Sequence, residues 1–135
     1  MGNQIKSVGI IGAGQMGGGI AHVCAMAGYE VRVHDVSADR LQTMHATISG
    51  NLARQVSSGK TSESEREQAL ARIKPAPAMA DLAAMDLVIE AATEDETVKR
   101  KIYQQLCPVL NPEALLATNT SSLSITRLEI GRAHV

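Results

Sequence analysis

The 135-residue chain contains no tryptophan and no phenylalanine, and only two tyrosines. So few rings are unusual for a complete enzyme. Cysteine is as sparse: Cys24 and Cys107 stand far apart in apolar helical patterns, with no C-x-x-C spacing. That speaks against a disulfide framework or a metal site and reads as two buried thiols in a reducing compartment. Neither sign of charge dominates. Thirteen Lys and Arg against fourteen Asp and Glu give a formal net charge of −1, which leaves no electrostatic footprint for nucleic acid or a membrane surface. The first apolar run is far too short for a secretory signal or for a spanning helix of roughly 20 residues, so a soluble, cytoplasmic protein is expected. The length suits one domain around one core.

What the chain does have is glycine, and it is concentrated in one place. Val8 to Gly19 reads V-G-I-I-G-A-G-Q-M-G-G-G. A short apolar run leads into Gly12-Ala13-Gly14-Gln15-Met16-Gly17 and then into an apolar-periodic segment. Strand, G-x-G-x-x-G turn and helix form the phosphate-binding corner of a dinucleotide fold. Gly12 suits the tight turn, Gly14 lets backbone approach a pyrophosphate, and Gly17 lets the helix press on the sheet. The N-terminus of the helix that follows offers unpaired N–H groups and a partial positive charge to an anion. Gly18 and Gly19 would each cost a helix interior roughly 1 kcal/mol relative to alanine, so they too suggest close backbone approach. Met16, Ile20, Val23, Cys24 and Ala27 fall on one helical face. About 20 residues on, a second apolar run, Val31 to Val33, leads to Asp35, where the fingerprint wants an acid.

Taken in order, Ile5 to Ile11 is the first strand, and the first helix closes near Gly28. Tyr29 to Asp35 is the second strand. Ser37 caps a helix with apolar positions Leu41, Met44, Ile48, Leu52 and Val56, and Ser62 with Glu65 resembles a capping box for another helix ending near Ile73. This helical insertion exceeds what a minimal βαβ unit requires and is expected to project from the sheet. Pro75-Ala76-Pro77 suits a short third strand at an edge, and Asp81 to Met85 one helical turn. Asp86 to Ala91 is the fourth strand. Asp95 to Leu106 is helical with Val98, Ile102, Leu106 and Val109 inward, and Leu115 to Asn119 is the fifth strand. The expectation is an α/β, doubly wound parallel sheet of Rossmann type, ordered 3-2-1-4-5.

Asp35, at the carboxyl end of the second strand, can accept hydrogen bonds from ribose hydroxyls and would repel a 2′-phosphate. No arginine follows it directly, so NAD is favoured over NADP; the plainer alternative is a helix-entry acid beside Ser37. The ends of the fourth and fifth strands offer Glu90-Ala91-Ala92-Thr93-Glu94 and Asn119-Thr120-Ser121-Ser122. Spacing alone favours the plainer readings: Glu94 as a helix-start acid, Asp95 and Lys99 as a surface i,i+4 pair, and Ser121 or Ser122 as a cap. His22, His34 and His45 stand away from both strand ends, no metal spacing appears, and no serine sits in a nucleophile elbow.

Three segments, V-G-I-I-G-A-G-Q-M-G-G-G-I-A, D-L-V-I-E-A-A-T-E-D and A-T-N-T-S-S-L-S-I-T-R-L, resemble the NAD-binding domain of 3-hydroxyacyl-CoA dehydrogenases, particularly the bacterial 3-hydroxybutyryl-CoA type. N-L-A-R-Q-V and A-L-A-R-I fit the same pattern, and the resemblance runs from about Ile5 to Leu128. It implies that Gly12, Gly14, Gln15, Met16 and Gly17 bind the pyrophosphate of NAD and Asp35 the ribose. It implies that Glu94 and Lys99 contact the nicotinamide side, and that Ser121, the catalytic candidate, touches both nicotinamide and the substrate's 3-oxygen. The helices after Asp35 would flank the CoA moiety, with Asn51 standing where some relatives carry a CoA-contacting serine.

The implied reaction is oxidation of a short-chain L-3-hydroxyacyl-CoA to the 3-oxoacyl-CoA by hydride transfer to NAD, as in fatty-acid metabolism. A His–Glu pair takes the hydroxyl proton, because hydride leaves readily only as the alkoxide develops. The family's histidine lies in an H-F-x-N-P segment that has no counterpart in this sequence. The expectation is therefore a dinucleotide-binding domain over 1–128, incomplete at its C-terminus and inactive alone. A helical substrate and dimerisation domain belongs to a homodimeric parent, and the absent aromatics with it. Residues 129–135, E-I-G-R-A-H-V, leave the family pattern and read as a translated sequencing adapter, so His134 is not the base. The alternatives are the cofactor lobe of a related hydroxyacid dehydrogenase, such as an L-gulonate dehydrogenase-like protein, or a non-catalytic NAD-binding, redox-sensing module.

Overall fold

The structure, a computed structural model, describes residues 5–92 and 95–118. Glu94, Ser121 and the expected tail 129–135 lie outside the described residues. Strand β1 (Ser7–Ile11) runs into helix α1 (Gln15–Met26), and β2 (Glu30–His34) into the pair α2 (Ala38–Ser57) and α3 (Glu63–Arg72). Strand β3 (Ile73–Pro75), a 3₁₀ turn (Met79–Leu82), β4 (Leu87–Glu90), α4 (Glu96–Leu106) and β5 (Leu115–Thr118) follow. All pairings are parallel and the order is β3-β2-β1-β4-β5, as the alternating pattern predicts.

Successive residues of a strand face opposite ways, and the core divides accordingly. Ile10, Val31 and Val33 pack with Ala21 and Ala25 of α1, Met44, Ile48 and Leu52 of α2, and Ala69 of α3. Ile11, Val88 and Leu116 face the other side, with Leu82, Tyr103, Leu106 and Leu110. Helices α2 and α3 therefore belong to one layer on the sheet; they do not project from it. Arg72 at the end of α3 donates to the Ala25 carbonyl at 2.8 Å, and Arg66 donates to the Ser49 hydroxyl at 2.8 Å, so the layer is tied at both ends.

Local signals explain the element ends. Ser37 accepts from the Arg40 N–H, and Ser62 with Glu65 forms the expected capping box. After α1, Gly28 has φ +101°, and the N–H groups of Gly28 and Tyr29 bond back to Ala25 and Cys24, a Schellman closure. The 3₁₀ turn begins at Met79, two residues before the expected start, because Asp81 accepts the Ala78 N–H at 2.9 Å. β3 likewise starts at Ile73 and not at the prolines.

Two helices turn a different face inward from the one apolar spacing selects. On α1 the buried residues are Gly17, Gly18, Ala21 and Ala25, while Met16 and Val23 are 59% and 68% exposed. The helix lies too close to the sheet for larger side chains. On α4, Lys99, Tyr103 and Leu106 are buried and Val98 is exposed. Both cysteines are half-buried free thiols, and burial pushes the Cys24 thiol up, away from thiolate reactivity. Among the described residues no helix is long and apolar enough to cross a membrane.

Candidate cofactor-binding site

The carboxyl ends of β1, β2 and β4 meet at the glycine corner. Gly12 donates to the His34 carbonyl at 2.8 Å and has φ +111°, a conformation that penalises any Cβ. A Cβ there would also meet Ala92 Cα at 2.8 Å. Gly17 is required more strictly, since its Cβ would lie 1.8 Å from the Gly12 carbonyl oxygen. At Gly14 a Cβ would meet nothing within 4 Å. The protein itself does not demand glycine there, so the missing side chain leaves room beside the loop for an outside group.

Gly14 also caps α1 without a side-chain hydrogen bond, and the first turn carries no acid. The helix therefore presents its unpaired N–H groups and partial positive charge to that open space. Beside it lies a cleft of about 780 Å³, lined by Ala13, Gly14, Gln15 and Gly18 on one wall and by Thr43, Thr47 and Asn51 of α2 on the other.

Asp35 sits at the rim of this corner. Its Oδ2 accepts the Ala13 N–H at 2.8 Å and its Oδ1 the Ser37 N–H at 2.9 Å. These bonds occupy two of the roughly four acceptor sites of a carboxylate. The helix-entry role and room for ribose hydroxyls thus coexist on one side chain. Gln15 and Met16 open α1 with exposed side chains. The corner can hold a diphosphate with its sugar toward Asp35.

Lys99 is placed otherwise than as half of a surface pair. It is fully buried and forms an ion pair with the fully buried Glu90. Glu90 Oε2 also accepts the Ala92 N–H at 2.6 Å. Glu90 has no role in the sequence expectations, although an acid closing an apolar strand, nine residues before a lysine on the following helix, is a usable signal. His34 has none either: it is buried, and its Nδ1 bonds the Ala76 carbonyl at 2.8 Å, tying β2 to the segment after β3. Among the described residues no group of three or more His, Cys, Asp or Glu could hold a metal ion.

Residues 7–134 match the family model for the 3-hydroxyacyl-CoA dehydrogenase, NAD binding domain. The chain belongs to this family. Its cofactor is NAD. A 3-hydroxybutyryl-CoA dehydrogenase of Bradyrhizobium diazoefficiens is 61% identical over 124 residues, which cover 92% of this chain and 42% of that protein. A 3-hydroxyadipyl-CoA dehydrogenase of Escherichia coli is 43% identical over 125 residues, 26% of its length. The crystal structure of an (S)-3-hydroxybutyryl-CoA dehydrogenase from Ralstonia eutropha matches with a TM-score of 0.90 at 43% identity, covering 95% of this chain and 45% of that one. The chain thus spans less than half the length of these relatives, and the match is to their NAD-binding part.

Proposed function

We propose that this chain is the cofactor-binding part of an enzyme that oxidises a short-chain L-3-hydroxyacyl-CoA, such as 3-hydroxybutyryl-CoA, to the 3-oxoacyl-CoA. The observation that carries the reading is the glycine corner clamped to Asp35, in a chain 61% identical to a 3-hydroxybutyryl-CoA dehydrogenase. Bound NAD supplies the hydride acceptor. Gly12 and Gly17 shape the loop, Gly14 leaves room beside it for the diphosphate, and the α1 N-terminus, opened by Gln15 and Met16, compensates its charge. Asp35 accepts from the adenosine ribose and repels a 2′-phosphate. Glu94 and Lys99 act on the nicotinamide side, and Ser121 orients the substrate's 3-oxygen for the base, a positioning contribution that costs nothing at the moment of reaction. The cleft between α1 and α2 takes the CoA moiety past Asn51, whose Oδ1 is engaged by Arg54.

The parent enzyme works in the cytoplasm as a homodimer, with the proton-accepting His–Glu pair on sequence following this domain. The test is an assay of NADH formation from L-3-hydroxybutyryl-CoA. The parent protein is expected to turn over, and its downstream sequence to contain an H-F-x-N-P segment; the 135-residue chain alone is expected to bind NAD without turnover. A parent that binds NAD but oxidises no 3-hydroxyacyl-CoA would overturn the reading in favour of a related hydroxyacid dehydrogenase or a sensor.

A further inference from the structure

The Glu90–Lys99 ion pair lies wholly inside the protein. Such pairs add little stability over apolar packing, because desolvation offsets the attraction. This one is therefore not explained by stability, and its place in the fold suggests another role. Glu90 ends β4, at the carboxyl edge of the sheet where ligands of open α/β folds gather. Its second oxygen accepts the Ala92 N–H, and Ala91 donates to the Ile11 carbonyl at 2.8 Å. The turn so fixed lies against Gly12, leaving no space for a Cβ between them. One helical turn beyond Lys99, the Tyr103 hydroxyl donates to the Ala117 carbonyl of β5 at 3.3 Å. Side chains of α4 thus bind the ends of β4 and β5 into one block.

This block stands on the β4 side of β1, whereas Asp35 stands on the β2 side. A dinucleotide with its adenosine ribose at Asp35 and its diphosphate at the glycine corner carries its nicotinamide half toward the block. We propose that Glu90 is a positioning residue for that half: its carboxylate fixes both the Lys99 ammonium and the Ala91–Ala92 turn where the nicotinamide riboside is received. The proposal rests on the cofactor reading above.

ADP-ribose, which lacks the nicotinamide, separates the two. The dissociation constants of NAD and ADP-ribose are measured by calorimetry for the 135-residue chain and for Glu90→Gln, with folding checked by circular dichroism. Glutamine keeps the shape and an acceptor for Ala92 but removes the charge. NAD binding is expected to weaken about tenfold, the size of a coupling between residues in one network, while ADP-ribose binding stays within about twofold. A folded Glu90→Gln protein in which both affinities are unchanged, or fall together, overturns the proposal. Should Glu90→Gln not fold, Glu90→Asp keeps the charge and leaves Lys99 in place but draws the carboxylate back from the Lys99 ammonium and the Ala92 N–H. It is expected to lose NAD affinity relative to ADP-ribose in the same direction, and an unaltered ratio in the folded protein overturns the proposal. If the unsubstituted chain binds neither ligand, the cofactor reading itself fails and takes this one with it.

Discussion

The Ala13 N–H donates to Asp35 Oδ2 at 2.8 Å, so the residue between the first two glycines of the loop hangs from the end of the neighbouring strand. One carboxylate therefore shapes the loop and faces the sugar. Replacing Asp35 by alanine removes an acceptor for two backbone N–H groups, and a hydrogen bond to a charged group contributes about 1.5–3 kcal/mol. The expected result is a stability loss of that order, seen as a lower urea midpoint, together with weaker NAD binding. Asp35→Asn, which keeps an acceptor, is expected to retain more of the stability than of the affinity.

The glycines of α1 are not equivalent. Gly17→Ala sets a methyl 1.8 Å from the Gly12 carbonyl oxygen, a backbone atom that no side-chain rotation can move aside. We expect a loss of about 3 kcal/mol or more. Gly19 has open space around its Cβ position, so Gly19→Ala is expected to stabilise the fold by roughly 0.5–1 kcal/mol through helix propensity. Denaturant unfolding of the two variants separates a packing glycine from one the fold does not require.

Acid should loosen the start of the sheet. Asp86 accepts from the Lys6 N–H at 2.8 Å and from the Ser7 N–H and hydroxyl, and these bonds hold its carboxyl below the usual aspartate range. A carboxylate with a depressed folded pKa contributes stability above its unfolded value of about 3.9, and that contribution fades as pH falls through the lower folded value. Glu65 in the capping box has the same sign. Asp86→Asn is expected to be less stable than the parent chain at neutral pH, with the difference closing below about pH 4. A difference independent of pH would contradict this assignment.

At the start of α3 the Ser62 hydroxyl accepts the Glu65 N–H at 3.1 Å while Glu65 accepts the Ser62 N–H at 3.0 Å. Ser62→Ala is expected to cost about 1 kcal/mol, measured by thermal unfolding. Ser62 lines neither the glycine corner nor the cleft beside it, so NAD affinity should not follow.

Strand order, the helix caps and the glycine corner were legible because each depends on local chemistry: Val8 to Ile11 before glycines, Ser37 and Ser62 before helices, Gly28 after one. The inward faces of α1 and α4 were not. Apolar spacing selects Met16 and Val23, yet the close approach that Gly17 enforces buries small residues and leaves the large ones exposed. On α4 the same reasoning chose Val98, because a lysine is costly to bury unless a partner is supplied. Glu90 supplies it from another strand, a contact that no single-segment pattern encodes. His34 is similar: its acceptor, Ala76, lies 42 residues away.

If the glycine corner and Asp35 together hold NAD, calorimetric titration of the 135-residue chain with NAD and with NADP distinguishes the two dinucleotides. NAD binding is expected to be measurable, NADP binding weaker by about tenfold or more, and that preference lost in Asp35→Ala. Equal affinity for the two dinucleotides, or a preference that survives Asp35→Ala, would contradict this role of the corner and Asp35.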